Sequence, residues 1–156
     1  MSKLVLPEHT RDQVDAAGRV LAKTRRPDET SDEWNRALGV IGNWRSSHAH
    51  PLLTMRMTLR GRSDNVDPEV IIAQGLKRLS SIRAKLQRMR KLTLSEMQDI
   101  GGCRAVVSTS EQVFELARFY AQGDAKNPHR GSKPLWKNDY ITNPKSSGYR
   151  SYHIIY

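Results

Sequence analysis

Cysteine is nearly missing from this chain. Cys103 is the only one in 156 residues, which excludes an internal disulfide and any metal site built from several thiolates. Long apolar runs are missing too, and nothing approaches the ~18 residues a membrane-spanning helix needs. The opening MSKLVLPEHTRD has too short an apolar part for a secretory signal, so no membrane and a cytoplasmic location are the default expectations. His9, His48, His50 and His129 show no ligand-like spacing, which argues against a zinc site. There is no internal repeat and no low-complexity tract. Acidic residues are scarce relative to basic ones: 16 Asp and Glu against 26 Lys and Arg, a formal charge of +10. That balance does not bear on fold. It favours polyanionic company such as nucleotides, RNA or a membrane surface, and equally suits a basic protein that is merely soluble.

What is present reads as one globular domain, with 37% hydrophobic and 27% charged residues and length enough for a single core. A helix is predicted over 10–23, with Val14, Ala17 and Leu21 on one face. RRPDETSDE is a linker closing in a capping box, Thr30 with Glu33. The next helix carries Trp34, Leu38, Ile41 and His48 on one stripe and should stop before Pro51. Arg45 shares that stripe, either snorkelling outward or aimed at a ligand. Asp67 reads as an N-cap with Pro68 at the first helical position, and Ile72, Leu76, Leu79, Ile82, Leu86 and Met89 predict a long helix after it.

Gly101 and Gly102 then turn into a buried strand over 103–108, with Cys103 in the core rather than acting as a nucleophile. Thr109 with Gln112 opens a helix carrying Val113, Leu116 and Tyr120, closed by Gly123. DAKNPHRGSKPLWKN is a basic loop, followed by short strands over 139–141 and 149–156. Helices interleaved with short strands predict an α+β class, a mixed sheet flanked by helices. The organisation expected is an N-terminal helical segment over 1–62 and a core over 63–156.

Three groups of residues carry chemistry. On the long predicted helix, Lys77, Ser81, Lys85 and Arg88 form a column of three cations and a hydroxyl, suited to phosphate oxygens or simply a solvated basic face. Asp99 precedes the paired glycines, with Arg104 five residues on. A carboxylate there can hold Mg²⁺ with water and phosphate oxygens, or cap its own turn. On the last strand Tyr149, Ser151 and His153 share one face, with Lys145 in the loop before them. That face offers a ring for a nucleobase and cations for its phosphates, or ordinary strand decoration. Together the groups describe a site holding two nucleotides across a Mg²⁺ ion, in which the protein positions groups and neutralises charge.

From about Trp44 to Tyr156 the chain resembles the synthetase domain of RelA/SpoT homologues, the alarmone synthetases. NWRSSHAHPL is similar to the N-terminal signature of one branch of standalone members, and LKRLSSIRAKLQR to the family's ATP helix. MQDIGGCRAVV is similar to its metal-and-strand motif, and DYITNPKSSGYRSYH to its acceptor loop. The resemblance implies a nucleotidyltransferase-like fold with ATP phosphates on Lys77, Ser81, Lys85 and Arg88, Mg²⁺ on Asp99, and Arg104 near ATP. It also implies that Tyr149 stacks on guanine while Lys145 and His153 contact that nucleotide's phosphates. The implied reaction moves the β,γ-pyrophosphate of ATP to the 3′-hydroxyl of GDP or GTP and releases AMP.

Two features depart from the family pattern. Many members carry Arg where this chain has Gly75, so adenine must be held otherwise. The family also follows its acceptor strand with a strand bearing a metal-binding Glu, and this sequence stops at Tyr156 before any such motif. The expectation is therefore a core incomplete at its C-terminus, with an open sheet edge that would favour homo-oligomers. Two other readings accompany the leading one. One is a toxin that pyrophosphorylates the 3′ end of tRNA, which the +10 charge and the basic loop Lys126 to Lys137 suit. The other is an inactive form that binds nucleotide or RNA.

Overall fold

In a computed structural model, residues 4–23, 31–121 and 136–155 are described, and they form five helices and four strands. The α+β class expected from the sequence is borne out. The strands pair as two separate two-stranded sheets. The chain divides into two compact units, one of Met1–Thr54 with Gln74–Gly102, the other of Met55–Ala73 with Cys103–Tyr156.

The first unit is built on helices α1 (Arg11–Ala22), α2 (Asp32–Ser47) and α4 (Leu79–Arg88). Thr10 caps α1 through a reciprocal capping box with Gln13. Ser31 caps α2, its side chain accepting from the Trp34 N–H; the expected cap Thr30 lies outside the described residues. The predicted face of α1 is the observed one, and Trp34, Ile41, Ile82 and Leu86 are buried as expected, whereas Met89 is exposed and Ala37 joins the core unforeseen. Val14, Ala17 and Leu21 meet Trp34, Ala37 and Ile41, then Ile82 and Leu86 of α4, with Leu94, Met97 and Ile100 closing the core from the segment that follows. Polar ties fix that segment: the Asp15 carboxylate accepts from the Ser95 N–H at 2.8 Å and from its hydroxyl at 3.0 Å.

The long helix expected after Pro68 is not there. Ile71–Leu76 form strand β1, and the helix begins only at Leu79. Asp67, buried, accepts instead from Glu69 N at 3.0 Å, closing a local turn, and from Ser108 N and Oγ at 2.8 and 2.9 Å, a long-range tie. The error has a simple source. Ile72 and Leu76 are four apart, and four is both one helical repeat and two strand repeats, so the spacing serves either. The β-branched Ile71 and Ile72 favour the strand, and the glycine at 75 weakens the helical alternative by ~1 kcal/mol. α2 stops before Pro51 as expected, but a further helix α3 (Ala49–Ser63) follows at once. Pro51 is tolerated there because it sits in the first turn, where its missing N–H has no helical partner to lose.

Strand β2 (Gly101–Val106) pairs with β1 and includes both glycines, two residues earlier than expected. It is half-exposed rather than buried, Val106 standing out in solvent. Cys103 is half-buried, and that burial pushes its thiol up from the ordinary value.

In the second unit α5 (Ser110–Ala121) starts from the expected Thr109–Gln112 box, and Leu116 and Tyr120 are buried. Its predicted stop at Gly123 and most of the basic loop lie outside the described residues. Strands β3 (Trp136–Asp139) and β4 (Tyr152–Ile155) form an antiparallel hairpin, with Asn138 opposite His153 and Asp139 opposite Tyr152. β3 is displaced toward the N-terminus from the predicted 139–141, and β4 lies within the predicted 149–156 but is shorter. Asp139 ends β3 by accepting from Ile141 N and Thr142 N at 2.9 and 2.8 Å and from the Thr142 hydroxyl at 2.6 Å. Gly148, at φ 77°, donates to Lys145 O at 2.8 Å and turns the chain into β4; this left-handed conformation is cheap for glycine alone.

Candidate functional site

Lys77 sits in the turn between β1 and α4, held at both backbone ends. Its N–H donates to Ile100 O at 2.8 Å, and its carbonyl accepts from Arg45 Nε at 2.9 Å. From there Lys77 Nζ reaches Asp99 Oδ2 at 2.9 Å, while Lys85, in the second turn of α4, reaches Oδ1 at 2.7 Å. The predicted column is thus assembled differently from the expectation. Ser81, Lys85 and Arg88 do follow one face of α4, but Lys77 arrives from the turn, and Ser81 and Arg88 are exposed.

The carboxylate between the lysines is half-exposed, at 51% of its side chain, against 20% and 21% for the lysine side chains. Partial burial pushes the Asp99 carboxyl up, and the hydrogen bonds and charges of Lys77 and Lys85 outweigh it, leaving the group below its ordinary 3.8. Two ammonium groups on one carboxylate leave a net positive charge. An incoming anion can take the ammonium groups and an incoming cation the carboxylate, and only the two together leave none of the three charges unpaired. No cluster of three or more His, Cys, Asp or Glu that could hold a metal occurs among the described residues. Gly75 is exposed, and a Cβ there would meet nothing within 4 Å.

Arg104, exposed on β2, belongs to the other unit, as do Lys145, Tyr149 and His153. The last three come together on the hairpin. The Tyr149 hydroxyl lies 2.9 Å from His153 Nε2, with the rings edge-on and their centroids 5.8 Å apart. Two residues of this cluster were not foreseen. The Tyr140 ring stands edge-on to His153 at 5.3 Å and to Tyr149 at 6.0 Å, and Lys145 Nζ lies 4.5 Å from the centre of the Tyr140 ring and 5.6 Å from that of Tyr149. Asn138 Nδ2 in turn donates to the Tyr140 hydroxyl at 2.6 Å. Alternation could have found both, since 138 and 140 point to one side of a strand, but only the register with β4 shows that this is the side of His153.

Burial, with the Lys145 charge second, holds the His153 imidazole below its ordinary 6.5, so it is neutral at pH 7 and offers one donor and one acceptor. Tyr149 remains 45% exposed, its ring open to a flat partner. The cluster can stack a planar group and place a cation and an imidazole beside it. Ser151 contributes backbone rather than its hydroxyl, accepting from Tyr140 N at 2.9 Å.

Residues 74–156, just over half the chain, match the family model described as the region found in RelA / SpoT proteins. No curated protein matches the chain significantly.

Proposed function

The chain belongs to the RelA/SpoT family, and from that premise we propose that it is a Mg²⁺-dependent pyrophosphokinase. It transfers the β,γ-pyrophosphate of ATP to the 3′-hydroxyl of GDP or GTP and releases AMP. The observation that carries the reading is the convergence of Lys77 and Lys85 on the half-exposed Asp99. In an enzyme of this kind a triphosphate takes the two ammonium groups, and the carboxylate they release is then available to a cation. Ser81 and Arg88, exposed on the same face of α4, extend that surface for further phosphate oxygens, and Arg104 is assigned to the ATP side as well.

Asp99 fits the metal as a single protein ligand. Mg²⁺ commonly takes one or two carboxylates and completes its shell with water and substrate phosphates, and each carboxylate oxygen has acceptor capacity beyond one hydrogen bond. When bound, the ion would neutralise charge on the transferring phosphates and align them. On the acceptor side the exposed Tyr149 ring stacks on guanine, and Lys145 and the neutral His153 hold that nucleotide's phosphates, with Tyr140 behind them holding the Lys145 ammonium on its ring face.

The test is incubation of the chain with γ-³²P-ATP, GDP and Mg²⁺, followed by separation of the products. AMP and a labelled, 3′-pyrophosphorylated guanine nucleotide are expected. Asp99→Asn and Lys85→Met should remove the activity, and Tyr149→Ala should weaken GDP by roughly 5- to 150-fold, the loss of a base stack worth ~1–3 kcal/mol. Unchanged substrates would overturn the proposal. Label on the 3′ end of added tRNA instead of free nucleotide would reassign the acceptor.

A further inference from the structure

The stripe position of Arg45 posed a choice between snorkelling and ligand contact, and the observed contact is neither. Arg45 occupies the last turn of α2, outside the residues that match the family model. Its Nε–H crosses 32 positions of sequence to the carbonyl of Lys77, at 2.9 Å and partly buried. A second observation says why that bond matters. α4 begins without a side-chain cap, Arg78 at the N-cap making no such hydrogen bond, so the turn carrying Lys77 lacks the local lock that usually fixes a helix entry. Its ties come from remote residues: Arg45 on the Lys77 carbonyl and Ile100, the neighbour of Asp99, on the Lys77 N–H.

We infer that Arg45 is a positioning residue for nucleotide binding: it holds the peptide of Lys77 so that the ammonium meets Asp99 and, in its place, a phosphate of ATP. The role of Lys77 in this statement rests on the function proposed above; the hold on its peptide does not. A guanidinium suits the task because it donates in a fixed plane, so the carbonyl is held in direction as well as distance. α2 therefore contributes to the site without touching the ligand.

Two measurements test this. Hydrogen exchange on Arg45→Ala should show the Lys77 amide exchanging at least about tenfold faster, the scale of one lost charge-assisted hydrogen bond. The Val14 amide inside α1 should keep its protection. Titration of the full chain with ATP and Mg²⁺ should show Arg45→Ala and Lys77→Met each weakening ATP, and the double variant no weaker than Lys77→Met alone, because the first change acts only through the second residue. GDP binding should not change in Arg45→Ala. Unaltered protection at Lys77 overturns the inference whatever ATP does, as do additive penalties in the cycle, which would make Arg45 a direct contact or a general stabiliser. If the wild-type chain binds no ATP, the proposed function falls, and the exchange result alone decides whether Arg45 fixes this turn.

Discussion

Replacing Lys85 by methionine keeps the length of the side chain and its apolar stem, and removes one ammonium from 2.7 Å of Asp99 Oδ1. Two ligands should respond with opposite signs. ATP loses a phosphate partner and binds more weakly. A divalent cation loses a competitor for the same oxygen and a nearby like charge, so in the absence of nucleotide it binds more tightly. Two unit charges about 4 Å apart interact by ~1 kcal/mol at the screening of water and ~4 kcal/mol at an effective dielectric of 20. Asp99 is half-exposed, which places it near the aqueous end, and a dication doubles the repulsion to ~2 kcal/mol, or roughly 30-fold in affinity. Some of this is lost because Lys77 stays on the other oxygen, so a tightening of about 10- to 30-fold is expected at low ionic strength, shrinking as salt is added.

The assay is titration of Mn²⁺, followed through the electron paramagnetic resonance signal of the free ion, on wild type, Lys85→Met and Asp99→Asn. Asp99→Asn should abolish the site. Equal or weaker Mn²⁺ binding in Lys85→Met, with the site still dependent on Asp99, would refute the idea that the lysines and the cation compete for one carboxylate.

Two other outcomes follow from the packing and the charges. The His153 ring, followed by proton NMR, should titrate below 6.5, and Lys145→Ala should raise its midpoint by removing a neighbouring cation. The unfolded chain takes up that proton first, so this group's contribution to stability is complete above 6.5 and is lost as pH falls toward the folded midpoint. A midpoint at or above 6.5, or no rise in the variant, would contradict this. Gly18→Ala should destabilise although alanine is the better helix former by ~1 kcal/mol, because the new Cβ would lie 2.7 Å from the Leu94 Cβ, a first side-chain carbon that cannot swing away. Overpacking of that kind costs ~1–3 kcal/mol; a net loss of ~1 kcal/mol lowers the thermal midpoint by roughly 2–4 °C, and a rise would show that the α1–Leu94 contact relaxes freely.

Much of this was legible in one dimension because its causes are local. Thr109 with Gln112 is a cap that acts within one turn, and Val14, Ala17 and Leu21 lie one above another on any helix. Tyr149 and His153 share a side through the alternation of an extended chain, and the order of motifs from LKRLSSIRAKLQR to GYRSYH carried the family. Other features were not legible, each for a stated reason. The spacing of Ile72 and Leu76 satisfies two periodicities at once. α3 follows α2 directly after a predicted stop, with Pro51 in the one turn that tolerates it. Asp67 looks like a helix cap until Ser108, 41 positions away, takes its carboxylate.

The sequence alone determined the charge, the inward face of α1, the Thr109–Gln112 cap and the set of residues proposed for phosphates and a base, since each depends on residue type and on neighbours a few positions away. Only the tertiary structure decided that Lys77 enters from a turn, that it and Lys85 close on one carboxylate, that Arg45 holds the peptide beneath, and that Tyr140 joins the ring cluster. Those contacts join residues separated by up to 32 positions, and at that range no periodicity relates them. Long-range hydrogen bonds and strand register do.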